Sequence, residues 1–530
     1  ILSYLDRHLF YLDFFSSAGT KEKISLSGHF DAGSIGELLE ADGALSFKFD
    51  ALSLYAFSPW IDYPLIIKDG TGSLSINVEL ENGKLKKGGS SFSVQNLNAN
   101  TINNHKQDLV FKDISGEFKY KLVNDDINII LDNLFLTTNS KLQFEDSAAS
   151  IKYNFETNQI NKATLVIDRF DLGSVKEISN QFLPEKHRAN VIINELSAKG
   201  EIDNLKLKWD RTRDGEEPSL KLKAKFLEIE INEFESFPGL KNLTGEVNIE
   251  NEKGIIRSVS RDVKITKEDV FRAPLQLNQF SGSVNWDNQK YSFNDVTVKD
   301  DYMEAIFNGT VKYESLDNLY VDINIDSPTL NIPNFKAYYP KQIGKDGLGW
   351  LDTSLLEGTA ENTNIQMKGK VKNFPFIDEN NKPDLSKGYF RVRSSVKDSF
   401  IEYGDNWPEM EKFDAEIIVD GGDVFITSQK GELDKSQVKI FKGAITPFTA
   451  DEVVLNIDTT LDSSAENIIY AINNSPIKEA MKGMSNDMEG KGDGELKLVL
   501  NVGFDDLDNI PFKGTYEFLG STLENPQLEI

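Results

Sequence analysis

The sequence contains no cysteine, which excludes disulfides, thiolate nucleophiles and zinc–thiolate sites. Histidine is scarce, and the four present are isolated from one another among polar neighbours, so we expect no histidine-based metal site or catalytic set. The nucleophile elbow, the phosphate-binding loop and the dinucleotide-binding glycine fingerprint are absent too. The sequence therefore predicts neither an enzyme nor a cofactor. The histidines are His8, His29, His105 and His187.

Positively charged residues are few, with 58 Lys and Arg against 85 Asp and Glu, which gives a formal net charge of −27. This excess of negative charge repels phosphate backbones, so we expect no nucleic-acid partner. Long apolar runs are also missing, and none approaches the ~20 residues that cross a bilayer. Because the sequence starts at Ile1 inside an alternating pattern, we expect any signal or membrane anchor to lie upstream.

What the sequence does contain is a repeated alternation of apolar and polar residues. Residues 240–258 alternate, turn at Asn-Glu-Lys-Gly and alternate again, which predicts a β-hairpin with one apolar face. Residues such as Glu246 and Ser283 then belong to the opposite, polar face. The same alternating pattern, with an apolar residue at every second position, follows a glycine at four places: Gly72, Gly116, Gly245 and Gly282.

A larger repeat contains these hairpins, because strand-like segments and one short helix-like segment recur in constant order. We predict a truncated N-terminal module at 1–100 and further modules at 101–235, 236–400 and 401–530, all in one elongated body. The fold class expected is mainly β: a long, twisted antiparallel sheet, curved into an elongated apolar groove, with one short helix per module.

Two acidic clusters, Asp378–Asp384 and Asp505–Asn509, resemble calcium ligands in composition but lack the glycine and terminal glutamate of an EF loop. We predict turns at both places and no metal site. A carboxylate pair for glycoside hydrolysis depends on spacing in the fold, which leaves an enzyme acting on envelope glycans as a distant alternative.

The apolar positions of the predicted strands form the candidate site. A closed core is the usual place for such residues, but one short helix per module is too little to cover so long a sheet. An open trough would instead suit acyl chains, since each buried methylene contributes about 0.8 kcal/mol. The predicted groove residues are Phe118, Tyr120, Val247, Ile249, Val284, Trp286, Ile417, Val419, Leu496, Leu498 and Leu500.

Four short motifs carry a resemblance to a known family. They are Gly349-Trp350-Leu351 near a helix-proline unit, Phe374-Pro375-Phe376, Asn406-Trp407-Pro408 and Ser475-Pro476. In this order the chain resembles the YhdP-type AsmA-like family of Gram-negative envelope proteins, within the bridge-like lipid transfer superfamily. The resemblance implies a groove-forming periplasmic protein, anchored to the inner membrane in its full-length form, that moves phospholipid to the outer membrane. It supplies no catalytic residues.

We therefore interpret the chain as a conduit in which phospholipid acyl chains slide along the apolar groove between inner and outer membrane. Phospholipids are the expected ligands, and contact with both membranes is expected through segments outside this sequence. The alternative is a periplasmic scaffold that assists outer-membrane protein assembly and envelope integrity. An open apolar face favours the conduit, and a closed dry core favours the scaffold.

Overall fold

The computed structural model describes residues 2–4, 6–15, 23–58, 65–101, 104–138, 143–183, 186–211, 218–235, 237–315, 318–339, 341, 345–402, 407–445, 453–503 and 510–525. Its chain packs into two compact units, Ile1–Arg257 and Ser258–Ile530. The boundary lies inside a strand and differs from those of the four predicted modules, which stay a prediction.

In the first unit every strand pairs antiparallel with the next one along the chain. The strands are β1 (Leu2–Tyr4), β2 (Arg7–Phe15), β3 (Lys23–Asp31), β4 (Asp42–Ser53), β5 (Leu65–Glu81), β6 (Lys84–Thr101), β7 (Asn104–Val123), β8 (Asp126–Thr138), β9 (Gln143–Asn154), β10 (Gln159–Asp171), β11 (Lys199–Asp210), β12 (Ser219–Ile231) and β13 (Gly239–Glu250). The helices are α1 (Leu54–Phe57), α2 (Gly173–Phe182), α3 (Arg188–Leu196) and a 3-10 helix at Ile35–Glu40.

The second unit follows the same meander, after β14 (Lys253–Thr266), which contains the boundary. Its strands are β15 (Leu275–Asp287), β16 (Lys290–Lys299), β17 (Glu304–Tyr313), β18 (Leu319–Asn331), β19 (Leu355–Lys370), β20 (Gly388–Ile401), β21 (Met410–Asp420), β22 (Asp423–Leu433), β23 (Ser436–Ile445), β24 (Val454–Ser464), β25 (Glu489–Lys491), β26 (Asp493–Gly503), β27 (Phe512–Phe518) and β28 (Thr522–Glu524). The helices are α4 (Lys345–Ser354), α5 (Ala465–Asn473), α6 (Ile477–Ala480) and 3-10 helices at Pro333–Tyr338 and Val371–Asn373.

The helices occupy a recurring place in the strand order. Each of α1, the pair α2 and α3, the Pro333–Tyr338 turn with α4, and the pair α5 and α6 lies between two strands that hydrogen-bond to each other. In the described part of the chain, four hairpins thus contain an inserted α-helix, and the 3-10 helices Ile35–Glu40 and Val371–Asn373 lie in two further hairpins, β3–β4 and β19–β20. The predicted fold class, mainly β with a large antiparallel sheet and a few short helices, is confirmed.

Several fully buried side chains cluster where these helices meet the sheet, and Phe376, 1% exposed, is buried at the other end of β19 beside Gly369 and Gly388. One cluster in the second unit contains Val263, Leu277 and Leu330, and Phe335 and Tyr338 of the 3-10 helix pack against it. Burial of the Tyr338 hydroxyl, which donates to Asp300 Oδ2 over 2.5 Å, raises its pKa. The α-helices and the Pro333–Tyr338 3-10 helix therefore cover one end of the apolar face rather than its full width.

Many strands carry a bulge in which one residue adopts a left-handed conformation. At Asn362, for example, φ is 50° and the pairing of β19 with β20 shifts between Glu361 and Asn364. Bulges add twist and bend a strand, and Asn and Asp tolerate positive φ better than most residues. Among the described residues, ten non-glycine residues combine positive φ with a register shift: Ala51, Asn96, Asn133, Asn204, Glu228, Asn242, Asp295, Asn362, Asp398 and Lys412.

The predicted turns are present wherever the structure describes them. The hairpin at 240–258 is formed by β13 and β14, and Asn251 in its turn has φ of 55°. At the first acidic cluster, the Asp378 carboxylate accepts the backbone N–H groups of Asn380 and Lys382 over 2.8 and 2.9 Å. The second cluster, Asp505–Asn509, lies outside the described residues.

Candidate functional site

In the first unit, direct cross-strand partners form a continuous row from β2 to β13, here called row 1. Paired residues of an antiparallel sheet share a face, so all members of row 1 lie on one side. Every member except Ser90 is apolar. Row 1 consists of Leu12, Leu26, Phe47, Ile76, Ser90, Phe118, Leu131, Ala149, Leu165, Leu207, Leu222 and Ile249.

The second unit has an equivalent row, here called row 2, which runs from β16 to β24 and on to β26. It is apolar at every position, without exception. Row 2 consists of Val296, Phe307, Ile325, Ile365, Val392, Val419, Val424, Ile445, Leu455 and Val502.

The structure places the four predicted groove residues of the first unit on one face. Phe118 and Ile249 belong to row 1 itself. Tyr120 and Val247 lie two residues along the same strands and so on the same side, with the rings of Phe118 and Tyr120 stacked at 6.0 Å between centroids. Val247 pairs with the buried Ala224.

The seven predicted residues of the second unit also share a face. Val419 is a member of row 2, and the others pair with residues on its side of the sheet. These pairs are Val284 with Phe293, Trp286 with Tyr291, Ile417 with Ile426, Leu496 with Leu461, Leu498 with Thr459, and Leu500 with Ile457. Whether any of the eleven contacts lipid stays a prediction.

The opposite face is mostly polar and carries ion pairs, although it also includes the exposed pair Ile418 and Phe425. Lys368 and Asp322 lie 2.7 Å apart, and the carboxylate raises the pKa of the Lys368 ammonium by accepting its hydrogen bond. Glu246, predicted for this face, accepts a hydrogen bond from Arg257 over 3.1 Å. Such exposed pairs contribute little stability, so their role is to keep this side hydrated.

Burial changes along each strand of the apolar face. On β21, Phe413 and Ala415 near the helix end are 3% and 5% exposed, whereas Ile417 and Val419 further along are only half-buried. Row 2 is half-buried at every position except Val296, and row 1 at every position except Leu12, which is exposed, and Ser90, which is buried. Water therefore reaches both rows, whereas side chains under the helices, such as Phe413, are closed off from it.

Two of the four repeated glycines make room for aromatic partners on this face. Gly116 pairs with Phe92 and Gly245 with Phe226, and a Cβ added to either glycine would lie 3.1 or 2.8 Å from the partner's ring. Covering a glycine with a cross-strand aromatic ring restores packing that the missing side chain would have supplied. At these two positions the glycine of the repeated sequence pattern therefore has a packing role.

One part of the apolar face in the second unit is enclosed, and we call it the α5 chamber. It has a volume of about 230 Å³ and lies between strands β20–β24, β26 and β27 and helices α5 and α6. Its described lining contains no charged residue. The predicted residues Leu496, Leu498 and Leu500 form part of its wall, together with Phe413, Ile457, Ile468, Ile472 and Ile510.

Sequence reasoning missed the chamber wall contributed by the helix and the loops. Ile468, Ile472, Trp407 and Ile510 come from segments far apart in the chain. The three-to-four-residue spacing of Ile468, Ala471 and Ile472 is typical of a helix with one apolar side, and it could have pointed to α5. No comparable signal marks Trp407 or Ile510.

The remaining candidates do not assemble a chemical site. A ring nitrogen of His8 lies 3.1 Å from the Ala32 carbonyl oxygen, and His187 Nδ1 accepts the Ala189 N–H over 3.3 Å as a helix cap. Within the described part of the chain, no three His, Asp or Glu side chains are placed to hold a metal ion. Each described helix is also too short or too polar to span a bilayer.

A sheet with one uncharged apolar face, one ion-paired face and a helix-covered end defines a β protein organised around an extended hydrophobic surface. The chain belongs to the YhdP protein family, whose model matches residues 1–530, which confirms the resemblance seen in the sequence. A similar protein is the intermembrane phospholipid transporter YhdP of Escherichia coli (strain K12), 19% identical over 289 residues. That match covers 53% of this chain and 22% of the relative. No solved structure matches the chain.

Proposed function

We propose that this protein carries phospholipid between the inner and outer membranes of a Gram-negative envelope, with acyl chains lying on rows 1 and 2. The observation that carries the proposal is the continuity of the rows. Row 2 passes through ten hydrogen-bonded strands without a polar side chain. Membership of the YhdP family and the similarity to an intermembrane phospholipid transporter support it.

Sliding requires a path on which successive positions are nearly equivalent. Neighbouring strands lie about 4.8 Å apart, so an acyl chain along a row contacts several strands at once. When the acyl chain moves on by one strand, it exchanges one apolar contact for another. Each buried methylene therefore still contributes about 0.8 kcal/mol of favourable free energy. Neither nucleotide nor cofactor is needed for such movement, and direction is set by a lipid gradient or by other components.

The headgroup stays in water in this proposal. The rows offer it no charged partner, and removing an unpaired charge from water is costly. Location in the periplasm, anchoring to the inner membrane and docking at the outer membrane belong to the same proposal, through segments outside this sequence.

Site-specific photocrosslinking in cells tests the proposal. A crosslinking residue placed at Ile417 should capture phospholipid, whereas the same residue at Ile418 should not. These two isoleucines are adjacent and chemically identical but face opposite sides, and Ile418 is 43% exposed, so accessibility cannot explain a difference. Val247 with Glu246 and Val284 with Ser283 provide matched pairs in other strands.

Equal lipid capture at both members of each pair would contradict the proposal. Capture at neither member, combined with loss of outer-membrane proteins when the chain is removed, would favour the scaffold.

A further inference from the structure

The α5 chamber differs from the rest of the apolar face because it is enclosed. Strands β20–β24, β26 and β27 form its floor, and Ile468 and Ile472 of α5 form its roof. Two buried clusters meet there, one containing Met410, Phe413 and Leu461 and the other Leu498, Leu500 and Ile510. An apolar cavity of about 150 Å³ in another protein stays dry and binds benzene, so a volume of about 230 Å³ accommodates a hydrocarbon segment.

The hydroxyl groups in the wall are already hydrogen-bonded. The Ser436 and Ser463 hydroxyl oxygens lie 2.6 Å apart, and Thr459 Oγ1 donates to the Ile440 carbonyl over 2.9 Å. Ser475 Oγ donates to the Ile472 carbonyl over 3.2 Å. A phosphate or glycerol entering the chamber would lose its water without gaining partners, so the wall selects hydrocarbon.

The chamber is continuous with the half-buried path. Row 2 ends at Leu455 and Val502, and both residues also line the chamber. Ile426 and Ile457, on the neighbouring row through Ile417, line it as well. A chain lying on row 2 can therefore enter the chamber without crossing a polar side chain.

We propose that the α5 chamber holds the terminal-methyl end of one phospholipid acyl chain, with the glycerol end left on row 2. This inference rests on the proposed lipid-carrying function and gives it a holding position. A lipid at this position is retained longer than one on the open rows, because more of its chain end is removed from water.

Two photoreactive phosphatidylethanolamines test the proposal on the purified full chain. One carries a diazirine near the terminal methyl of an acyl chain, and the other carries it near the glycerol. Peptide mapping should place the terminal label on Ile468, Ile472 or Leu498 and the glycerol-proximal label on the row 2 residues outside the chamber, which exclude Leu455 and Val502. Equal labelling of the chamber by both probes would overturn the proposal.

Cavity-filling variants provide the matched comparison. Gly514 faces the chamber, and a Cβ there would meet Leu498 and Leu496 at 3.7 and 3.9 Å, which is ordinary contact. Gly514→Leu should abolish chamber labelling by the terminal probe while raising the melting temperature of lipid-free protein. Gly503→Leu, where an added Cβ meets nothing within 4 Å, should change neither.

Ala471→Leu fills the chamber from the helix side. It replaces Gly514→Leu in the labelling experiment if that variant fails to fold. Undiminished chamber labelling in a folded filling variant would refute the holding position. Labelling of row 2 without any labelling of the chamber would refute the holding position and leave the conduit intact. Absence of labelling at both places would count against the conduit itself.

Discussion

At the scale of single residues, position along the strand decides what an apolar side chain does. Leu277 and Val284 both lie on β15, but Leu277 is 1% exposed in the cluster under the 3-10 helix, whereas Val284 is half-buried further along. A core residue stabilises the fold alone, and a residue that water still reaches is available to a ligand. The two therefore respond differently to the same substitution.

Val284→Asp should give a folded, soluble protein, because its carboxylate can stay hydrated on the half-buried part of the face. Leu277→Asp buries an unpaired charge and should cost several kcal/mol, enough to unfold its surroundings. Urea denaturation followed by circular dichroism measures both. If Val284→Asp unfolds as readily as Leu277→Asp, this stretch of the face is an ordinary core.

The sequence was sufficient to find which residues share a face, because strict alternation holds from Phe118 to Tyr120 and from Ile417 to Val419. It could not show how deeply each is buried. Leu498 is 9% exposed, while Ile417 with the same local pattern is half-buried. The difference arises from α5, whose packing on β26 depends on contacts between distant segments.

At the scale of secondary-structure elements, the bulges explain where alternation fails. Single Asn or Asp residues inside strands resemble turn residues in a sequence, and Asn362 and Asp398 give no separate signal for a bulge. Each inserts one extra residue and moves the following side chains to the other face. The hairpin at 240–258 was predictable because its turn joins two regularly alternating stretches.

Asn362→Val should destabilise the second unit by about 1–2 kcal/mol, since a β-branched residue is strained at positive φ. Asn362→Gly adopts the same conformation without strain and is the matched control. Chemical denaturation of the two variants measures the difference. Equal stability of both would mean that the bulge is absent in solution.

At the scale of the whole molecule, the proposed function makes the two rows parts of one path. Each row is continuous within its own unit, with row 1 in the first and row 2 in the second. A path in series fails completely wherever it is interrupted, whereas independent binding surfaces fail separately. Combining substitutions in the two units therefore distinguishes a conduit from a protein with two unrelated apolar surfaces.

Val247→Asp in the first unit and Ile417→Asp in the second each place a charge on a half-buried apolar position. Each single variant should fold and lose nearly all phospholipid transport, because acyl chains cannot cross an ionised carboxylate without desolvating it. The double variant should then be no worse than either single one, as for two breaks in one line. Ile418→Asp adds a carboxylate to the opposite face and is the matched control that should retain transport, and Glu246→Asp keeps the carboxylate already there and should retain it too. Lipid transfer measured in cells that depend on this protein, with circular dichroism of the purified variants, gives both readouts.

Partial losses that multiply in the double variant would show that the two surfaces act independently, and full transport in both folded single variants would show that lipid does not travel along these rows.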